Sequence, residues 1–184
     1  MRTRAARLLV WLLVMALAAA APPTECGTFG SVEVGGGDSV GVWGVGLGWD
    51  DLYTWNLGPH FQAVQNLLLR IDHWHGTQAE AVVANLWDLS ATPVLRLQSA
   101  TNTFPRVFLD IGLGVHLITE PRINRTRQFS TVFQFGEFLG PGVQFGDRGQ
   151  YELSFRLQHV SNGRIEEPND GLNYGTLVFQ YHFR

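Results

Sequence analysis

The stretch Arg106-Val107-Phe108-Leu109-Asp110-Ile111-Gly112-Leu113-Gly114-Val115-His116-Leu117-Ile118 decides the fold. Val107, Leu109, Ile111, Leu113, Val115 and Leu117 take every second position, with Asp110, Gly112, Gly114 and His116 between them. Successive side chains of an extended strand point to opposite sides, so this period gives one large apolar face and one small or polar face. A helix would spread the same residues around its circumference.

The alternation recurs on both sides of that stretch. Trp43, Val45, Leu47 and Trp49 oppose Gly44, Gly46 and Gly48, and Leu67, Leu69 and Ile71 oppose Leu68, Arg70 and Asp72. Tyr151, Leu153, Phe155 and Leu157 oppose Glu152, Ser154, Arg156 and Gln158. Leu177, Phe179, Tyr181 and Phe183 oppose Thr176, Val178, Gln180 and His182. Eight strands are expected, over 39–50, 61–75, 86–99, 106–118, 128–136, 138–146, 150–161 and 173–183, separated by Gly, Pro, Asn and Asp. A turn near Gly136-Glu137 divides the fifth from the sixth, and 76–85 is a connection with room for a short helical turn.

With 184 residues the chain is long enough for one domain. Met1 to Ala21 reads as a secretory signal. Arg2, Arg4 and Arg7 form its charged start, Leu8 to Leu17 its apolar core, and Ala18 to Ala21 its small-residue cleavage region. The weaker alternative is an uncleaved anchor. Residues 22–184 then form a single barrel domain, and no later apolar run reaches the roughly 18 residues of a membrane helix. All 13 basic residues are Arg, and without the three in the signal 10 stand against 16 acidic groups. That balance argues against nucleic acid as a partner. Cys26 is the only cysteine, which excludes an intrachain disulfide framework.

A soluble barrel would turn its apolar face inward around a ligand, whereas a membrane barrel turns it outward to lipid. The second face here holds Gly, Arg, Asp, Glu, Gln and Ser of mixed sign, as a self-satisfying interior requires. Trp49, Tyr53 and Trp55 near one strand end, and Tyr181 and Phe183 at the C-terminus, suit interfacial aromatic girdles. The fold class expected is all-β, an eight-stranded antiparallel outer-membrane β-barrel. Arg70, Asp72, Arg96, Asp110, Glu152 and Arg156 read as an interior salt-bridge network, and His116 and His182 as hydrogen-bonded lumen residues.

The most specific signal lies near the C-terminus: His159-Val160-Ser161-Asn162-Gly163, followed by Pro168-Asn169-Asp170-Gly171. This resembles the lipid A 3-O-deacylase (PagL) family, in which a His-x-Ser-Asn element precedes a Pro-Asn-x-Gly turn and a third catalytic position. Phe133-Gln134-Phe135-Gly136, the Gly140, Gly142, Phe145, Gly146 spacing and Gly112-x-Gly114-x-His116 are also similar, across roughly 30–184.

The resemblance implies an esterase that removes the 3-O-linked acyl chain of lipid A in lipopolysaccharide, in the outer membrane and without metal or cofactor. It implies Ser161 as nucleophile and His159 as the base that takes its proton. Parity places both on the apolar side of their strand, where polar residues are costly unless interfacial or functional. With both termini periplasmic, they lie at the outer end of the seventh strand, facing the outer leaflet. The family uses an acid at the third position, but Asn173 stands there. Its amide oxygen can accept the imidazole N–H, and Glu166, Glu167 and Asp170 are alternative orienting acids. Asn162 is the candidate oxyanion donor, through backbone or side chain, with Asn169 beside it in substrate binding or in shaping the turn together with Gly171.

Other readings stay beside these. A non-catalytic structural or adhesive barrel is the main alternative, a soluble lipid-binding barrel a weaker one, and a homodimer is admitted. His73-Trp74-His75 reads as an interfacial aromatic cluster before a metal site. Arg122, Arg125 and Arg127 form a basic loop cluster with a slight lean towards lipid phosphates.

Overall fold

The computed structural model describes residues 27–38, 40–77, 85–101, 103–124 and 127–183. The signal reading of 1–21 and most of the connection 76–85 lie outside them. The strands are β1 (Gly27–Gly37), β2 (Val40–Asn56), β3 (Phe61–Gly76), β4 (Asn85–Ser99), β5 (Arg106–Ile118), β6 (Arg122–Asn124), β7 (Arg127–Gln128), β8 (Phe133–Phe145), β9 (Tyr151–Ser161) and β10 (Leu172–Phe183). Eight of them close an antiparallel barrel in the order β1-β10-β9-β8-β5-β4-β3-β2, while β6 and β7 make a separate ribbon. Val32 of β1 closes the ring, opposite Val45 on one side and Phe179 on the other.

The expected number of strands holds, but two of the assignments differ. Residues 27–37 form a strand where none was expected, because Gly27-Thr28-Phe29-Gly30 and Gly35-Gly36-Gly37 read as loop while Ser31, Val32, Glu33 and Val34 alternate too briefly. Conversely, the supposed strands 128–136 and 138–146 are the single strand β8 and its approach. Gly136 and Glu137 are ordinary ladder positions, opposite Gly114 and Leu113 of β5, because both neighbouring strands supply partners and no turn is needed.

The faces sort as the alternation requires. Val107 is 71% exposed and its neighbour Phe108 only 5%, and Leu153, Phe155 and Leu157 are exposed while Glu152, Arg156 and Gln158 are buried. Inside, Arg96 donates to Asp110 (Nε to Oδ1, 2.8 Å) and Glu152 (Nη2 to Oε2, 2.8 Å). Arg70 and Arg156 share Glu33 of β1 at 3.0 and 3.2 Å. His116 Nδ1 lies 2.6 Å from Asp88, and His182 Nε2 lies 3.0 Å from Glu152. Small residues make room: a Cβ on Gly112 would run into the Phe138 ring. The barrel is a packed polar interior inside an apolar wall, the inverse of a soluble one.

The two ends differ. At one, 57–60, 103–105 and 146–150 lie between strands; at the other lie Asp38, 119–121, 129–132 and 162–171. At this longer-looped end Trp74, Phe129, Ile123, Val160, Leu172 and Tyr174 belong to a buried apolar plug over the polar lumen. Trp74 therefore turns inward, while Trp43, His73 and Trp87 stack outside with ring centroids 4.9–5.6 Å apart. The outer aromatic cluster forms around His73, without Trp74.

Candidate active site

The end of β9 combines two requirements. Its inward residues, Arg156, Gln158 and Val160, must complete the lumen network and the plug, and its outward residues are then fixed by parity. Leu153, Phe155, Leu157, His159 and Ser161 follow one another up the outer face, so the apolar stripe ends in an imidazole and a hydroxyl at the plugged end. Both residues are half-buried.

Asn173 of β10 is the Cα partner of His159, and its Oδ1 accepts the imidazole Nδ1–H at 2.8 Å. The three loop acids make other contacts. Glu167 accepts from the Asn169 backbone at 3.0 Å, Asp170 accepts from the Gln128 backbone at 2.9 Å, and the Glu166 carbonyl accepts from Asn162 at 2.8 Å. The Asn173 amide itself is held by Asp38, in the turn between β1 and β2. Asp38 Oδ2 accepts from the Asn173 backbone N–H at 2.7 Å and from its Nδ2 at 3.0 Å. Arg127 of β7 pairs with Asp38 Oδ1 at 3.3 Å and donates to the Asp170 and Gly171 carbonyls at 3.4 and 3.3 Å. So Arg127 of the basic loop cluster is engaged in protein contacts, while Arg122 is exposed and Arg125 lies outside the described residues.

Glu137 of β8 is the Cα partner of His159 on its other side and is exposed on the outer face. The sequence reading had spent Glu137 on a turn and had placed Asp38 in no element. Only the ring places β8 and β10 on either side of β9, with β1 and its turn beyond β10, and composition alone carries no such signal.

Asn162 is fully buried, and its donors are occupied. Its backbone N–H goes to Asn169 Oδ1 at 3.1 Å, and its Nδ2 goes to the carbonyls of Phe129 and Glu166 at 2.6 and 2.8 Å. Its Oδ1 receives Arg164 N at 2.9 Å, so it ties the β9–β10 loop to the ribbon side. To serve an oxyanion, either donor of Asn162 would first have to leave its carbonyl or amide partner. Asn169 uses its Oδ1 in that tie, and its Nδ2 is not part of the bond. Gly171 reaches φ +67, and a Cβ there would come 2.9 Å from His159 Cε1, so the loop backbone packs against the ring.

Beside His159 a groove of about 730 Å³ runs down the outer wall. Leu157, Leu139, Ile111 and Leu113 give it apolar sides, Glu137, His159 and Asn173 line its polar end, and Gly36, Gly37 and Gly175 add backbone to its lining. A linear alkyl chain with a polar head fits that distribution.

The sequence profile of the lipid A 3-O-deacylase (PagL) family matches residues 41–182. The lipid A deacylase PagL of Bordetella bronchiseptica is 28% identical over 99 residues, covering 54% of this chain and about half, 52%, of that protein. The lipid A deacylase PagL of Pseudomonas aeruginosa is 24% identical over 144 residues, covering 78% of this chain and 79% of that protein. In three dimensions the barrel is similar to the crystal structure of the outer membrane enzyme PagL, with a TM-score of 0.74 at 23% identity, covering 83% of this chain and 98% of that one.

Proposed function

The chain belongs to the lipid A 3-O-deacylase (PagL) family, and on that premise we propose that it is an outer-membrane esterase hydrolysing the 3-O-linked acyl chain of lipid A. One observation carries the reading: an imidazole with a bound Nδ1–H stands beside an alkyl-shaped groove on the outer wall, two residues from a hydroxyl of the same parity. Polar groups on that wall have no structural use comparable to those of the lumen.

The mechanism follows from what each group can do. Because an amide oxygen only accepts, His159 carries its proton on Nδ1, and its unprotonated Nε2 is the base for Ser161. Ser161 Oγ attacks the ester carbonyl and its proton passes to His159. Collapse of the tetrahedral intermediate expels the lipid A oxygen, which takes that proton and leaves the acyl chain on Ser161. Water, deprotonated by His159, then releases the fatty acid and regenerates the hydroxyl. Asn169 Nδ2 is the side-chain donor we assign to the oxyanion, with Asn162 fixing the loop that carries it. No step calls for a metal or cofactor.

Orientation follows from the loops. Outer-membrane barrels keep short periplasmic turns and longer outer loops, and this supports reading the end that bears 162–171 as the outer one, with the site towards the outer leaflet. Export by residues 1–21 and a mature barrel from residue 22 belong to the same reading. Purified protein in detergent should release free fatty acid from lipopolysaccharide, and lipid A from cells expressing it should lose one acyl chain by mass spectrometry. Intact lipid A in both experiments would refute the activity and favour a structural barrel.

A further inference from the structure

We propose that Asp38 is the acid of this site, acting on His159 through Asn173 as a positioning residue; the inference rests on the Ser-His reading above. The geometry fixes the order of donors and acceptors. A carboxylate can only accept, so the Asn173 atom 3.0 Å from Asp38 Oδ2 is the amide nitrogen. That choice turns the amide oxygen to the imidazole, 2.8 Å away, and the oxygen in turn requires the proton on Nδ1. The carboxylate therefore sets the tautomer of His159 from two hydrogen bonds away. Without it the amide is free to flip, and a flipped amide presents a donor that would favour protonation at Nε2, the wrong nitrogen for a base.

Asp38 also supplies the charge that Asn173 lacks. An imidazolium forms when Ser161 gives up its proton, and a negative group polarising the intervening amide favours that state. The charged groups around the imidazole are few among the described residues. Glu137 flanks it on β8, Asp38 lies behind Asn173 on the β1–β2 turn, and Arg127 of β7 moderates Asp38 at 3.3 Å. Asp170, in the loop over the ring, uses its carboxylate on Gln128. Asp38 is the carboxylate tied into the His159 hydrogen-bond chain. Its backbone is built for the position: φ is +43, a conformation that Asp and Asn adopt more readily than other residues bearing side chains. Arg127 joins this turn to the β9–β10 loop, so the relay is clamped at both ends.

The test uses the full chain in detergent micelles with lipopolysaccharide as substrate. Asp38→Asn and Asp38→Gly both tolerate the positive φ and should keep heat-modifiable migration. Both should lower kcat roughly 10–100-fold with KM unchanged, the loss expected when the partner that orients a general base is removed. In nitrogen-15 NMR of the imidazole, which distinguishes the two neutral tautomers, the wild-type chain should carry its proton on Nδ1, and Asp38→Gly, which frees the Asn173 amide, should gain the Nε2–H form. The exchange Asp38→Asn with Asn173→Asp, which returns a carboxylate to the relay, should recover most of kcat and the Nδ1–H tautomer. An unchanged tautomer and kcat in Asp38→Gly would overturn the proposal. So would a loss of kcat with the Nδ1–H tautomer retained, which marks a merely structural role. The spectrum needs no substrate, so a wild-type chain that releases no fatty acid would sink the deacylase reading while leaving Asp38 to be decided by NMR.

Discussion

Strand β9 carries two polar sets, one on each face, and they are held by opposite means. Inside, Arg156 and Gln158 are buried and meet Glu33 and Arg70 from strands far away in sequence, at 3.1–3.2 Å. Outside, His159 and Ser161 sit half-buried at the end of the stripe Leu153, Phe155 and Leu157, with His159 bonded to Asn173 and packed against Gly171 of the loop. The inner set satisfies itself and closes the barrel. The outer set takes no part in the lumen network, and the proposed Ser-His chemistry gives it a use. Substitutions on the two faces should therefore separate stability from activity.

The largest expected effect is on the outer face. Ser161→Ala should lower kcat by at least about 10³-fold, as loss of a nucleophile does, while heat-modifiable migration is retained. An active, folded variant would break the division between the faces. On the inner side the test is Glu33→Ala, which leaves Arg70 and Arg156 without their shared carboxylate. Removing one partner of a buried pair costs about 3–5 kcal/mol, measured here as a lower urea midpoint in detergent. Folded Glu33→Ala protein should remain active per molecule.

Smaller effects sharpen the outer face further. Filling the groove with Leu139→Trp should discriminate against long acyl chains by about 10–100-fold in kcat/KM, with short chains less affected. Gly171→Ala should lose about 1–2 kcal/mol from its positive φ, seen as an earlier unfolding midpoint. It should also lower kcat, because the new methyl would press on His159. Least of all, Arg122→Ala, at an exposed ribbon position, should change stability by less than about 0.5 kcal/mol.

Legibility in the sequence followed the length of each periodic run. β5 and β9 repeat their alternation across whole strands, and their faces were readable at once. β1 was not, since its glycines hide a short run of Ser31, Val32, Glu33 and Val34. That single omission concealed two acids: Glu33, which pairs the buried arginines, and Asp38, which holds Asn173. The division of β8 was a compensating error, so the strand number came out right with one strand missing and one counted twice. Parity survived both errors because β9 was read from its own residues. Asn173 was placed by the same parity, and its bond to His159 matches that placement. The partners of Asn162 were not legible, because a buried amide takes whatever carbonyls the folded loop brings to it.

The sequence alone determined which residues face outward, because a two-residue period is a local property of extended backbone. It also determined that His159 and Ser161 share one face at a strand's end. Which strands flank β9, which acid reaches Asn173, and where the alkyl groove opens were decided only on closure of the ring. Pairing in a closed barrel brings residue 38 beside residue 173, and no local pattern encodes a contact across that separation.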